Sequence, residues 1–136
     1  MKEKDNNVTM KLENQLCFPL YAAARSVTGL YTPWLKQLGL TYTQYITMLV
    51  LWEHEKLTVK ELGAELYLDS GTLTPLLKKL EEKGLVTRCR STRDERNLIL
   101  TITEDGEDRM VMTPWSSSPM PFGQEILLIF DPPDLP

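Results

Sequence analysis

The chain has 136 residues, enough for one small domain, and its 42% hydrophobic and 25% charged residues are ordinary for a soluble globular protein. The formal net charge of −4 weighs against nucleic-acid binding by the chain as a whole, but the placement of charge matters more than the total. No apolar run reaches the ~18 residues of a membrane span. The polar start from Met1 to Asn7 leads into no secretory core, and two cysteines with a single histidine match no zinc spacing. The expectation is a cytoplasmic protein without metal or cofactor. No Gly-rich phosphate loop or nucleophile elbow is present, so no enzyme is expected.

Residues 1–9 are expected to form a flexible start. From Met10 to Leu30, Leu12, Leu16, Leu20 and Ala24 recur every four residues, as on one face of a helix. Pro19 interrupts this stretch, so the helix either bends there or begins there with the proline in its first turn. A short helix is expected over Thr32–Leu38, stopped by Gly39. Another spans Thr43–Glu53, with Tyr45, Met48, Leu49 and Trp52 on one face. Thr58-Val59-Lys60-Glu61 is a capping box that opens the next helix, whose inward residues are Val59, Leu62 and Leu66. After the turn at Leu68-Asp69-Ser70-Gly71, a helix with Leu73, Leu76, Leu77 and Leu80 inward runs to Lys83, and Gly84 ends it.

The period then changes. Leu85–Arg90 and Asn97–Ile102 alternate around the charged turn Ser91–Arg96, which reads as a two-stranded hairpin. Thr103-Glu104-Asp105-Gly106 reads as the capped start of a last helix. Six of the nine prolines lie at or after Pro114, so residues 111–136 are expected to be a mobile tail, leaving 10–110 as the folded domain.

The fold class is therefore mainly α with a small β-hairpin, arranged as a winged helix-turn-helix. Lys78–Arg96 holds seven basic and four acidic residues, a local +3 on an acidic chain. Ser70, Thr72, Thr74, Lys78 and Lys79 are the outward groups of a helix narrow enough for a major groove. Arg88, Arg90, Arg93 and Arg96 are carried by the hairpin, where guanidinium groups suit phosphates and the minor groove. On these residues alone a solvated charged helix, or a winged helix that docks protein, stays open. So does an inert, buried Cys17 beside Leu16 and Phe18.

The segment Leu68-Asp69-Ser70-Gly71-Thr72-Leu73-Thr74-Pro75-Leu76-Leu77-Lys78-Lys79-Leu80-Glu81 resembles the recognition helix of the peroxide-sensing branch of the MarR family. Arg93-Asp94-Glu95-Arg96 resembles the family's wing signature. Leu12-Glu13-Asn14-Gln15-Leu16-Cys17-Phe18 and Leu51-Trp52-Glu53-His54-Glu55 are similar to the organic-hydroperoxide resistance regulator (OhrR) branch, and the likeness covers roughly Met10 to Met110. The resemblance implies a homodimeric repressor of a double-stranded DNA operator. It makes Arg96 the minor-groove arginine, held by Asp94; from the residues alone that pair is also an ordinary surface ion pair.

The resemblance also makes Cys17 the sensor of an organic hydroperoxide. Tyr31 and Tyr42 are then its hydrogen-bonding partners, with Tyr21 in the same pocket, although amphipathic core tyrosines are the plainer alternative. Oxidised Cys17 would pair with a low-molecular-weight thiol, since Cys89 matches no sensor or resolving position. A general oxidative-stress or virulence regulator, or a truncated winged-helix interaction protein, are the alternatives. The family continues with long C-terminal helices that help to form its dimer. This chain departs from that pattern after about Met110, which predicts a weakened pair.

Overall fold

The computed structural model describes residues 7–94 and 97–113, which fall into two compact units, 7–32 and 33–113. The expected mobile tail beyond Thr113, the start of the chain before Asn7, and both Glu95 and Arg96 lie outside the described residues.

In the first unit, single 3-10 turns at Val8–Met10 and Leu12–Asn14 precede helix α1, Cys17–Gly29. Of the two courses open at Pro19, the structure takes the second. The helix starts at Cys17 and the proline sits in its first turn, where a missing N–H costs no helical bond. Leu12 lies in a separate 3-10 turn, so the four-residue recurrence from Leu12 does not make one continuous helical face. No residue of α1 is buried, and Leu16, Phe18, Leu20 and Tyr21 are all exposed.

The second unit holds the remaining helices and the sheet. Helix α2 (Thr32–Leu38) leads to α3 (Tyr42–His54), β1 (Lys56–Thr58), α4 (Val59–Leu66) and α5 (Ser70–Glu82). Strands β2 (Val86–Arg90) and β3 (Leu98–Ile102) form the hairpin, and α6 (Glu104–Val111) follows. The hairpin gains a third strand that the alternation did not reveal. Strand β1 adds to β3 in the antiparallel order β1–β3–β2, pairing Leu57 with Leu100 while β2 pairs Val86 with Ile102. Three residues are too few to show a period, and Thr58 works twice, ending β1 and capping α4.

Helix α3 buries Gln44, Tyr45, Thr47, Met48 and Leu51. Its inward face is thus rotated from the expected one, and Leu49 and Trp52 remain exposed. Two polar residues are carried into the core because their bonds are met. Thr47 Oγ1 donates to the Thr43 carbonyl at 2.8 Å, and Gln44 Oε1 accepts from the Thr41 N–H at 3.1 Å and from Lys83 Nζ at 3.0 Å. Leu73, Leu76, Leu77 and Leu80 of α5 are all buried, as their spacing predicts. Fully burying a leucine stabilises by roughly 1.5–3 kcal/mol, so this face dominates the attachment of α5.

The end of α5 and the start of α6 share one knot. Gly84 turns the chain at φ 74°, a left-handed conformation natural to glycine. Thr103 Oγ1 donates to the Gly84 carbonyl at 2.7 Å and accepts from the Gly106 N–H at 3.1 Å, capping α6. Gly106 lies so close to the α5–β2 turn that a Cβ there would strike the Leu85 carbonyl oxygen and come within 2.9 Å of Ile102 Cγ1. Gly106→Ala is therefore expected to lower stability by about 1–3 kcal/mol despite alanine's better helix propensity, as measured by urea unfolding. An unchanged or raised midpoint would show that the packing around Gly106 yields without cost.

Candidate nucleic-acid interface and exposed thiol

Helices α4 and α5 are each started by a side chain that replaces a missing backbone partner. Thr58 Oγ1 accepts from the Glu61 N–H at 3.1 Å while Glu61 Oε2 accepts from the Thr58 N–H at 2.7 Å. Asp69 Oδ1 accepts from the Thr72 N–H at 2.9 Å. These bonds hold both carboxyls below their ordinary pKa values, with Thr72 the cause at Asp69 and the Thr58 N–H the main cause at Glu61. The turn between the helices is closed at Tyr67, whose φ of 55° and ψ of 38° are left-handed. A residue with a side chain pays roughly 1–2 kcal/mol for that conformation.

With its leucines inward, α5 turns Ser70, Thr72, Thr74, Lys78 and Lys79 to the exposed side, where the sequence predicts its DNA-reading groups. Thr74 already donates its hydroxyl to the Ser70 carbonyl at 2.7 Å, which leaves its oxygen as an acceptor and its methyl group for apolar contact. The basic residues of the segment divide into two sets. Lys83 is spent inside the fold, donating to the Gly39 carbonyl at 2.5 Å and to Gln44. Arg88 is held by Glu81 in a bidentate pair at 3.0 and 3.1 Å, which lowers the Glu81 pKa, raises that of Arg88 and ties β2 to α5. Lys78, Lys79, Arg90 and Arg93 are exposed.

Asp94 shapes the hairpin turn. Its carbonyl accepts from the Asn97 N–H at 2.9 Å and its carboxylate from Asn97 Nδ2 at 3.3 Å. The expected Asp94–Arg96 pair involves a residue outside the described ones.

The sensor candidates are divided among α1, the turn after it and α3. Cys17 is the first residue of α1 and is exposed. Tyr21 stands one turn later, with the Arg25 guanidinium carbon 5.5 Å from its ring centre, and lines a shallow cavity with Phe18, Ala22, Arg25 and Ser26. Tyr31 occupies the turn after α1, and Tyr42 opens α3. Cys89 is exposed on β2, opposite Ile99. The alternative of a buried Cys17 beside Leu16 and Phe18 does not hold, since no residue of α1 is buried.

A helix-turn-helix whose second helix faces outward with hydroxyls and lysines, braced by a three-stranded sheet, defines the class as a winged helix-turn-helix protein. The model of the family described as "Transcriptional regulator SarA/Rot" matches residues 29–111, and the chain belongs to this MarR-like family. The organic hydroperoxide resistance transcriptional regulator of Bacillus subtilis is 61% identical over 97 residues, covering 71% of this chain and 66% of that regulator. This match therefore spans a little under two thirds of the relative's length. The regulator SarZ of Staphylococcus saprophyticus is 54% identical over 79% of this chain and 71% of its own length.

Among solved structures, reduced AbfR bound to DNA superposes with a TM-score of 0.72 at 40% identity, covering 96% of this chain and 91% of that one. AbfR in its disulfide form gives 0.63 at 40% identity, covering 90% and 86%. The fold and the regulator class expected from the sequence agree with these relatives, which are named as regulators of transcription rather than as enzymes.

Among the described residues no helix is long and apolar enough to cross a membrane.

The Asp69 cap has a pH signature. A carboxyl whose pKa is depressed on folding stabilises the fold above its unfolded value, and this contribution is lost as pH falls through the folded value. Asp69→Ala is expected to lower the melting temperature at neutral pH, with wild type and variant converging as pH falls through the acidic range of that carboxyl. Parallel melting curves at every pH would mean that the ionised cap contributes nothing.

Proposed function

We propose that the chain is a cytoplasmic transcriptional repressor that binds a double-stranded DNA operator as a homodimer and releases it when an organic hydroperoxide oxidises Cys17. The observation that carries the DNA half of this reading is the division of α5, with four leucines buried and its hydroxyls and lysines exposed. The hydroxyls of Ser70 and Thr72 meet base edges or phosphates. Thr74 acts as an acceptor or methyl contact, and Lys78 and Lys79 neutralise phosphates. On the wing, Arg90 and Arg93 follow the backbone. Arg96, by family likeness, enters the minor groove with Asp94 beside it. Arg88 acts indirectly, because its guanidinium is committed to Glu81 and fixes the wing against α5.

The sensing half is supported by an exposed sulfur on a helix whose apolar side chains are uncovered in the single chain. The Cys17 sulfur attacks the outer peroxide oxygen, the O–O bond breaks and the alcohol leaves, giving a sulfenic acid. A low-molecular-weight thiol then attacks that sulfur, expels water and leaves a mixed disulfide. Tyr31 and Tyr42, with Tyr21 nearby, are the groups proposed to bond the reduced sulfur and to lose it on oxidation. The exposed apolar side chains of α1 offer a surface to the second protomer. The proline-rich composition after Thr113 favours a weak pair.

Two measurements test this. Cys17→Ser is expected to keep operator affinity but to abolish release by cumene hydroperoxide, while Cys89→Ser releases as wild type does. Peroxide-driven release from the Cys17→Ser protein would place the sensor elsewhere. Lys78→Ala is expected to weaken binding to all duplexes and to reduce the slope of log K against log salt by about one counterion's share. An unaltered slope would remove Lys78 from the phosphate contacts.

A further inference from the structure

Tyr67 is the most exposed large hydrophobic residue among those described, at 94%. It also holds the left-handed conformation that glycine adopts most cheaply. The turn demands that conformation. The Gly63 carbonyl accepts from the N–H groups of both Tyr67 and Leu68, so α4 stops only if residue 67 turns left-handed. The ends of α2 and α5 meet the same demand with Gly39 and Gly84. At Tyr67 the fold recovers neither cost: the ring lies in solvent, and the hydroxyl has no hydrogen-bond partner among the described residues. A tyrosine at a glycine position, returning nothing to the fold, points to a partner outside the chain.

The place of Tyr67 identifies the partner. It stands two residues before Asp69, the cap of α5, beside the helix end that presents Ser70 and Thr72. A duplex that receives this end of α5 in its major groove brings the sugar-phosphate rim against the preceding turn. We propose that Tyr67 is a DNA-backbone contact whose phenol O–H donates to a phosphate oxygen on that rim and fixes how α5 enters the groove. The proposal rests on the DNA-binding reading above. A phenol suits the task because it is a neutral donor on a rigid, long arm. Its contact releases no counterion and reads no base.

The test uses the full chain, a fluorescently labelled random-sequence DNA duplex, and titrations at several salt concentrations. Tyr67→Phe removes only the hydroxyl and is expected to weaken binding about two- to tenfold, the range of one neutral hydrogen bond, without altering the salt slope. Tyr67→Gly is expected to bind at least as weakly while melting at a higher temperature, because the strained turn is relieved. Opposite movement of affinity and melting temperature is the signature of a side chain kept for a partner. Wild-type affinity in the Phe variant would overturn the Tyr67 contact and leave the DNA reading standing. A wild-type chain that binds no duplex at any salt would overturn both.

Discussion

Burial of one side of α5 is the constraint on which the rest of the structure depends. Leu73, Leu76, Leu77 and Leu80 fix the rotation of that helix about its axis, and the rotation decides which groups reach solvent. A helix turned by one residue, about 100°, would exchange leucines for lysines at the surface and lose both the core and the basic face. The caps at Thr58 and Asp69 then set where α4 and α5 begin, and the Arg88–Glu81 pair sets where the wing stands beside them. Stability of the body thus draws on one side of these thirteen residues and leaves the other, polar side to solvent.

Basic residues close in sequence have unlike duties. Lys83 and Arg88 lie within the segment that reads as locally basic, yet each is consumed by an internal acceptor. Counting charge along the chain therefore overstates the field the protein presents. The distinction follows from geometry. Lys83 is the C-cap of α5 and lies within reach of the carbonyl of Gly39, whereas Lys78 and Lys79 project from the second half of the helix with no such acceptor among the described residues.

The sequence carried most of the second unit because its signals are local. The caps at Thr58 and Thr103, the leucine spacing of α5 and the glycine stops act within one or two turns. Strand β1 escaped because its three residues acquire meaning only when β3 lies alongside, a partner more than forty positions away. The face of α3 was misread by a fraction of a turn, since Leu49 and Trp52 are as apolar as Met48 and Leu51 and only the neighbouring elements choose among them. The exposed Cys17 was likewise beyond pattern reading, because exposure of α1 is a property of what does not cover it. Tyr67 gave no sequence signal: its distinction is a backbone angle.

The two cations that terminate α2 have a consequence for synthesis. Lys83 reaches the Gly39 carbonyl from 44 residues away, and Arg109 reaches the Leu38 carbonyl from 71 residues away at 3.0 Å. A nascent chain emerging from the ribosome can wind α4 and α5 early, but the corner between α2 and α3 receives its second clasp only when α6 is free of the exit tunnel. Closing so wide a loop is entropically slow. Until then Lys83 alone clasps the corner, and the Leu38 carbonyl waits for Arg109.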